Sequence, residues 1–361
     1  DTEFVFWARR NDPERLVESA CRAAELAQSP SIALARLASR YLRTTDVPPI
    51  VAKRLAQRGM ELSTDGEHPL LLLVAAAAQA ELGNDEAAWS TLQRSLSAGP
   101  ADYVAIVSPG ETLGPLQSRR VAITAFIAKA ILGERLELIS KAVGLLTQQD
   151  KPSELQYAAS VLREALTLKD DIDTEFQKQV AIIALKMLEP LRSRPEYIPS
   201  LVDTFADLQE RAGEAAAAIA TYQEAIEKFP GTVSFTNNLA YLLARRNERL
   251  ESALTLVDTA LARNPEGAAA YLDTKGWILH RVGRHAEAAT LIEESLRYLA
   301  GGAATAIAET VYHLGHIYIA SGRSREAENM LHRAVRLDED GVYGRKASDL
   351  LRVLSSGITT K

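Results

Sequence analysis

The sequence predicts an all-α chain built as an α-solenoid of antiparallel helix pairs, and three observations carry that expectation. The small residues Ala206, Ala240, Gly276 and Gly315 follow one another at intervals of 34, 36 and 39 residues. A fixed period of this length is the mark of stacked supersecondary units. Between these positions apolar residues recur at helical spacing rather than in alternation. Composition agrees: the 361 residues are 47% hydrophobic but only 6% aromatic, and an Ala- and Leu-rich core suits closely packed helices better than a β-sandwich.

Each repeat has the same internal plan. Aligning "YLDTKGWILHRVGRHAEAATLIEESL" with "TVYHLGHIYIASGRSREAENMLHRAV" pairs Gly276 with Gly315, Leu279 with Tyr318 and Gly283 with Gly322. It also pairs Ala288 with Ala327, Ile292 with Leu331 and Leu296 with Val335. Two earlier units fall into register, one through Ala206, Gly213, Ala218, Tyr222, Ala225 and Pro230, the next through Ala240, Leu243, Ala253, Val257, Ala260 and Pro265. The small residues let the first helix of a unit (helix A) approach the second (helix B). A large residue one turn later fills the remaining gap, and the prolines stop helix B. Upstream, "LLLLVAAAAQAELGNDEAAWSTLQRSLSAGP" sets Ala76, Gly83, Ala88, Leu92, Leu96 and Pro100 at the same offsets.

These units resemble tetratricopeptide repeats (TPRs), whose pattern has Trp-x2-Leu-Gly-x2-Tyr, then Ala-x3-Phe, then Pro. The resemblance implies a right-handed superhelix and a bacterial-type TPR scaffold. It divides the chain into a region 1–101, with a degenerate repeat at 31–64 and a clear one at 65–101, and an irregular helical segment 102–196. Four consecutive repeats follow at 197–341, then a capping helix and tail at 342–361. In the degenerate repeat Leu34, Leu37, Ala38 and Tyr41 fit helix A, and Ala52 and Met60 fit helix B. Helical stretches near 119–132, 134–148, 153–167 and 172–192 either continue the solenoid or divide it. Residues 101–118 read as a loop or short helix with turns at Pro109, Gly110, Gly114 and Pro115.

The resemblance also implies a concave groove lined by A helices. Carried over residue by residue, the groove positions are Asp203, Thr204, Asp207 and Arg211; Asn237, Asn238, Tyr241 and Arg245; Asp273, Thr274, Trp277, His280 and Arg281; and Glu309, Tyr312, His313 and His316. Trp277, Tyr241 and Tyr312 are the amphipathic anchors enriched in interface hot spots; Trp277 and Tyr241 serve equally well as packing between repeats. Asn237 and Asn238 can donate and accept along a peptide backbone. Acidic residues at 203, 207 and 273 with basic ones at 245 and 281 suit a partner peptide or helix carrying both charges. The carboxylate clamp of chaperone-binding repeats is missing. Asn238 matches its middle Asn, but Asp203, Asp207, Ala270 and Thr274 stand where cations and Asn are required.

The expected function is therefore a protein–protein interaction scaffold or adaptor that binds a protein or peptide partner. The alternative is a self-associating structural array, a homo-oligomer. "NNLAYLLA" and "LDTKGWIL" are similar to bacterial repeat proteins of cell-envelope assembly and polysaccharide export. Net charge −6 and a pI near 5.7 give no electrostatic reason to expect nucleic acid, since phosphate binding needs concentrated Lys and Arg. The densest basic stretch, "GRSREAENMLHRAVR", is interrupted by acids.

No catalytic role, cofactor or metal is expected. "GxxxxGK", "HExxH" and a dinucleotide fingerprint are absent from the sequence. Ser108-Pro109-Gly110 reads as a turn rather than a nucleophile elbow. His313 and His316 with His280 could ligate a metal, but no Cys is near, and packing or groove lining explains them. The single cysteine, Cys21, reads as a small buried apolar group. The chain opens on Asp1 without an initiator Met, which fits a mature or excised fragment. The apolar run from Leu70 to Ala78 is about half of what spans a bilayer. The piece is expected to be soluble, cytoplasmic or periplasmic, without inserting into a membrane.

Overall fold

Proline opens many of the helices, because its missing N–H is an orphan in a first turn and its fixed φ suits a helix start. A computed structural model of the chain describes residue 7 and residues 12–44, 47–63, 68–98, 115–147, 152–167, 173–192, 199–339 and 341–355. Among the described residues there are 18 α-helices, two 3-10 turns and no strand. Ser108-Pro109-Gly110, Pro100 and the tail beyond 355 lie outside them. The chain falls into two units, residues 1–196 and 197–361.

The first unit holds α1 (Pro13–Glu25), α2 (Pro30–Arg43), α3 (Pro49–Glu61), α4 (Pro69–Glu81), α5 (Asp85–Ser97), α6 (Pro115–Leu132), α7 (Leu136–Leu146), α8 (Pro152–Ala165) and α9 (Thr174–Leu188). Neighbouring helices form hairpins, and α6 packs on α4 and α8 on α6. Between α2, α4 and α6 lies a polar cluster. Lys129, 3% exposed, donates to the Thr44 carbonyl at 2.9 Å and sits 4.0 Å above the Tyr41 ring. The Tyr41 hydroxyl donates to Glu81 at 2.5 Å. Such burial is tolerated because each group is paired. Cys21 is half-buried on α1 rather than in the core; burial still pushes its thiol pKa up, with Arg58 opposing and Glu25 adding.

The second unit holds α10 (Pro199–Arg211), α11 (Ala215–Lys228), α12 (Ser234–Arg245), α13 (Leu250–Arg263), α14 (Ala268–Val282), α15 (His285–Tyr298), α16 (Ala304–Ala320), α17 (Ser324–Leu337) and α18 (Val342–Ser355). Four hairpins stack in order, with α14 packed on both α12 and α16. A Cβ on Gly276 would lie 2.5 Å from Ile292 Cγ1, and one on Gly315 2.8 Å from Leu331 Cδ2. The hairpin turns use left-handed glycines at 213, 283 and 322. The turn from α12 to α13 has no glycine and instead places Asn247 and Arg249 at φ 57° and 47°. Leu279, Ala288 and Ile292 share one core with Leu314, Ile317, Tyr318 and Ala327, which joins the last two hairpins. α18 closes the array: Ala347 packs on Val311, Leu331 and Ala334, with Leu350, Leu351 and Leu354 around them.

One correspondence ties α4–α5 to the hairpin α14–α15, two hundred residues on. Gly83 and Gly283 both have positive φ, and Ala88 and Ala288 are both fully buried. Ser95 Oγ donates to the Pro69 carbonyl at 2.7 Å, and Ser295 Oγ to the Ala269 carbonyl at 2.7 Å. The two hairpins have the same internal design down to a buried side-chain hydrogen bond.

Candidate partner-binding groove

The A helices α10, α12, α14 and α16 present the residues singled out from sequence, and most are tied to one another. Asp203 Oδ1 accepts from Asn238 Nδ2 at 2.8 Å and from the Tyr222 hydroxyl at 3.1 Å. Asp207 pairs with Arg211 at 3.0 Å, and Arg245 with Glu210. Asp207, Glu210, Tyr241 and Arg245 line a recess of about 110 Å³. The mixed charges expected to face a partner are thus largely neutralised within the groove. Adjacent A helices approach closely enough for long side chains to meet, a spacing that a list of positions does not contain. Arg281 is exposed.

Asp273 and His313 form the most buried pair. His313 is 1% and Asp273 7% exposed, and His313 Nδ1 lies 3.0 and 3.2 Å from the two carboxylate oxygens. The acceptor-only carboxylate fixes a proton on Nδ1. Burial opposes a charged ring, but the charge and hydrogen bond of Asp273, with Glu309, outweigh it. The His313 pKa is held above its ordinary value, against a smaller pull from Lys346. His313 Nε2 reaches the Tyr241 hydroxyl at 3.5 Å, and that hydroxyl donates to Glu309 at 3.4 Å. His313 therefore lies beneath the groove surface. Thr204, Asn237 and Thr274 are buried with it.

Trp277 is half-buried. Its ring stacks on His313 with centroids 4.5 Å apart and planes 26° from parallel. His280 at 5.1 Å and His316 at 5.8 Å flank it. Trp277 thus packs between repeats and stays partly exposed, and its Nε1 is buried without a hydrogen-bond partner. His280 and His316 stay neutral far below the ordinary range. Burial, aided by His285, His316, Arg281 and His313, takes His280 to about 4; burial, aided by His313, Arg281 and Lys346, takes His316 to about 4. His316 Nε2 meets the Tyr312 hydroxyl at 2.9 Å, and His280 meets His285 at 3.1 Å between Nδ1 atoms. Among the described residues no three His, Cys, Asp or Glu side chains are arranged to hold a metal.

A cavity of about 280 Å³ opens between α12, α14 and α16, lined by Asn237, Asn238, Tyr241, Asp273, Thr274, Glu309 and Thr310, with Ala270, Leu299 and Ala306. Reading A-helix positions alone missed Tyr343, at the start of α18. Its hydroxyl donates to Glu309, and its ring lies 5.7 Å from Tyr312 and 6.3 Å from His313. The available signal was a tyrosine one residue into the capping helix. Among the described residues no helix is long and apolar enough to cross a membrane.

Stacked hairpins whose A helices carry a polar and aromatic face define a helical-repeat scaffold. Family models described as tetratricopeptide repeat match residues 204–254, 242–304 and 308–340, so this part of the chain is built of tetratricopeptide repeats. A TPR repeat-containing protein of Pseudomonas aeruginosa is 26% identical over 196 residues, 54% of this chain and 30% of the relative. The match thus spans less than a third of that protein's length. A crystal structure of the APC/C hetero-tetramer Cut9–Hcn1 is similar at TM-score 0.42 and 15% identity, over 98% of this chain and 68% of that one. The human IFIT1 dimer with PPP-AAAA gives TM-score 0.39 and 11% identity, over 91% and 85%.

Proposed function

We propose that the chain is a non-catalytic scaffold that holds a segment of a protein partner along the A-helix face of α10, α12, α14 and α16. The observation that carries this reading is the cavity of about 280 Å³ between three successive A helices. Its amide, hydroxyl and phenol groups can bond a peptide's backbone and side chains, and Tyr241 in its lining is an amphipathic anchor. Its size is at the small end of ligand pockets, about 300–1,000 Å³, and is ample for an inserted side chain. Net charge −6 disfavours a phosphate backbone as ligand. A setting in cell-envelope or polysaccharide-export assembly draws on the short segments "NNLAYLLA" and "LDTKGWIL" alone.

The test is affinity capture with wild type beside an Asn238→Ala/Trp277→Ala variant whose helicity and melting are first checked. A protein held by wild type and lost from the folded variant supports the groove. Equal retention by both contradicts it.

A further inference from the structure

We infer that the cavity between α12, α14 and α16 receives a basic side chain, Lys or Arg, of the bound segment. The inference rests on the groove reading above and adds the chemistry of what enters it. Asp203 accepts from Asn238 Nδ2 at 2.8 Å. A carboxylate can only accept, so the Asn238 amide is oriented with its oxygen toward Asn237. Asn237 Nδ2 then donates to that oxygen at 3.4 Å. The remaining acceptor, Asn237 Oδ1, is left buried without a partner on a side chain only 7% exposed. Asn237 belongs to the cavity lining. An unpaired buried acceptor costs about 1–3 kcal/mol, and a donor that reached Oδ1 from the cavity would remove that cost.

Charge selects which donor. The described cavity lining contains two carboxylates, Asp273 and Glu309, and no basic residue. Asp273 is paired with His313. Glu309 receives hydrogen bonds from the hydroxyls of Tyr241 and Tyr343, both neutral donors. A carboxylate from the partner would meet repulsion here. An ammonium or guanidinium would pair with Glu309 and offer a further N–H to Asn237 Oδ1.

The experiment selects random-sequence peptides displayed on phage against the full chain and against Glu309→Gln, with the variant's fold checked by circular dichroism. The expected result is enrichment of Lys or Arg at one position of the retained peptides, absent from those retained by Glu309→Gln. Replacing that residue by norleucine or citrulline in a synthetic peptide is expected to weaken binding to wild type by about tenfold to a hundredfold, the range of a charge-assisted hydrogen bond. This second measurement does not depend on the variant folding. Retained peptides without basic enrichment, or tolerating norleucine, overturn the cation pocket and leave the groove reading standing. No retained peptide at all overturns both.

Discussion

His313 and Asp273 lie forty residues apart in sequence and meet at 3.0 Å, buried between α14 and α16. The pair joins the A helices of consecutive repeats and forms the floor on which Trp277 stacks. Its protonation should therefore be visible in stability. The folded His313 pKa is raised above the ordinary value of about 6.5, so the pair's contribution is fully present below that value. It is lost as pH rises through the folded pKa. Chemical denaturation of wild type and Asp273→Asn across this range is expected to show a decline above about pH 6.5 in wild type that is weaker in the variant. Parallel curves would contradict the pairing.

His280 and His316 act in the opposite direction. Both fall to about 4 in the folded chain, so between that pH and the ordinary value the unfolded state binds more protons. Stability then drops as pH falls across this window. His316→Asn is expected to make the acid limb shallower, measured by denaturant midpoint against pH. An unchanged acid limb would mean that His316 protonates freely in the folded state.

Gly276→Leu is expected to destabilise the chain by about 1–3 kcal/mol or more, through overpacking. Its first side-chain atom would meet Ile292 at 2.5 Å and the Ala288 carbonyl at 3.1 Å. Gly283→Ala is the control. It has nothing within 4 Å but a φ of +90°, so only backbone strain of about 1–2 kcal/mol is expected. Equilibrium urea unfolding separates the two, and equal effects would show that the helix contact is less tight than described.

Ser95→Ala and Ser295→Ala each remove one 2.7 Å hydrogen bond to a carbonyl in the first turn of the preceding helix. Each is expected to lose about 0.5–1.5 kcal/mol, similar at the two sites because the hairpins share one design. Denaturation followed by probes in each unit reads both. Loss at one site only would break the equivalence.

The parts of the fold set by local rules could be read from the sequence. Gly213, Gly283 and Gly322 sit where hairpin turns need positive φ. Gly276 and Gly315 sit where helices touch. The turn at Asn247–Arg249 is the exception, since its left-handed residues are not glycines. The groove was legible as a set of positions but not as a set of bonds. Asp203–Asn238, Arg245–Glu210 and Asp273–His313 depend on how far one repeat is displaced from the next. Tyr343 lies on α18, outside the A-helix pattern. Cys21 is half-buried rather than buried because it sits at the edge of the α1 face formed by Leu16, Ala20 and Ala24.

The measurement that tests the central claim most directly is a photo-crosslinking scan in lysate of the source cells. Benzoylphenylalanine is placed at Arg245 and Arg281 on A helices, and at Arg263 and Arg333, exposed on B helices. One partner protein is expected to be captured from the A-helix positions and not from the B-helix positions. Capture confined to Arg263 or Arg333 would place binding on the opposite face and contradict it.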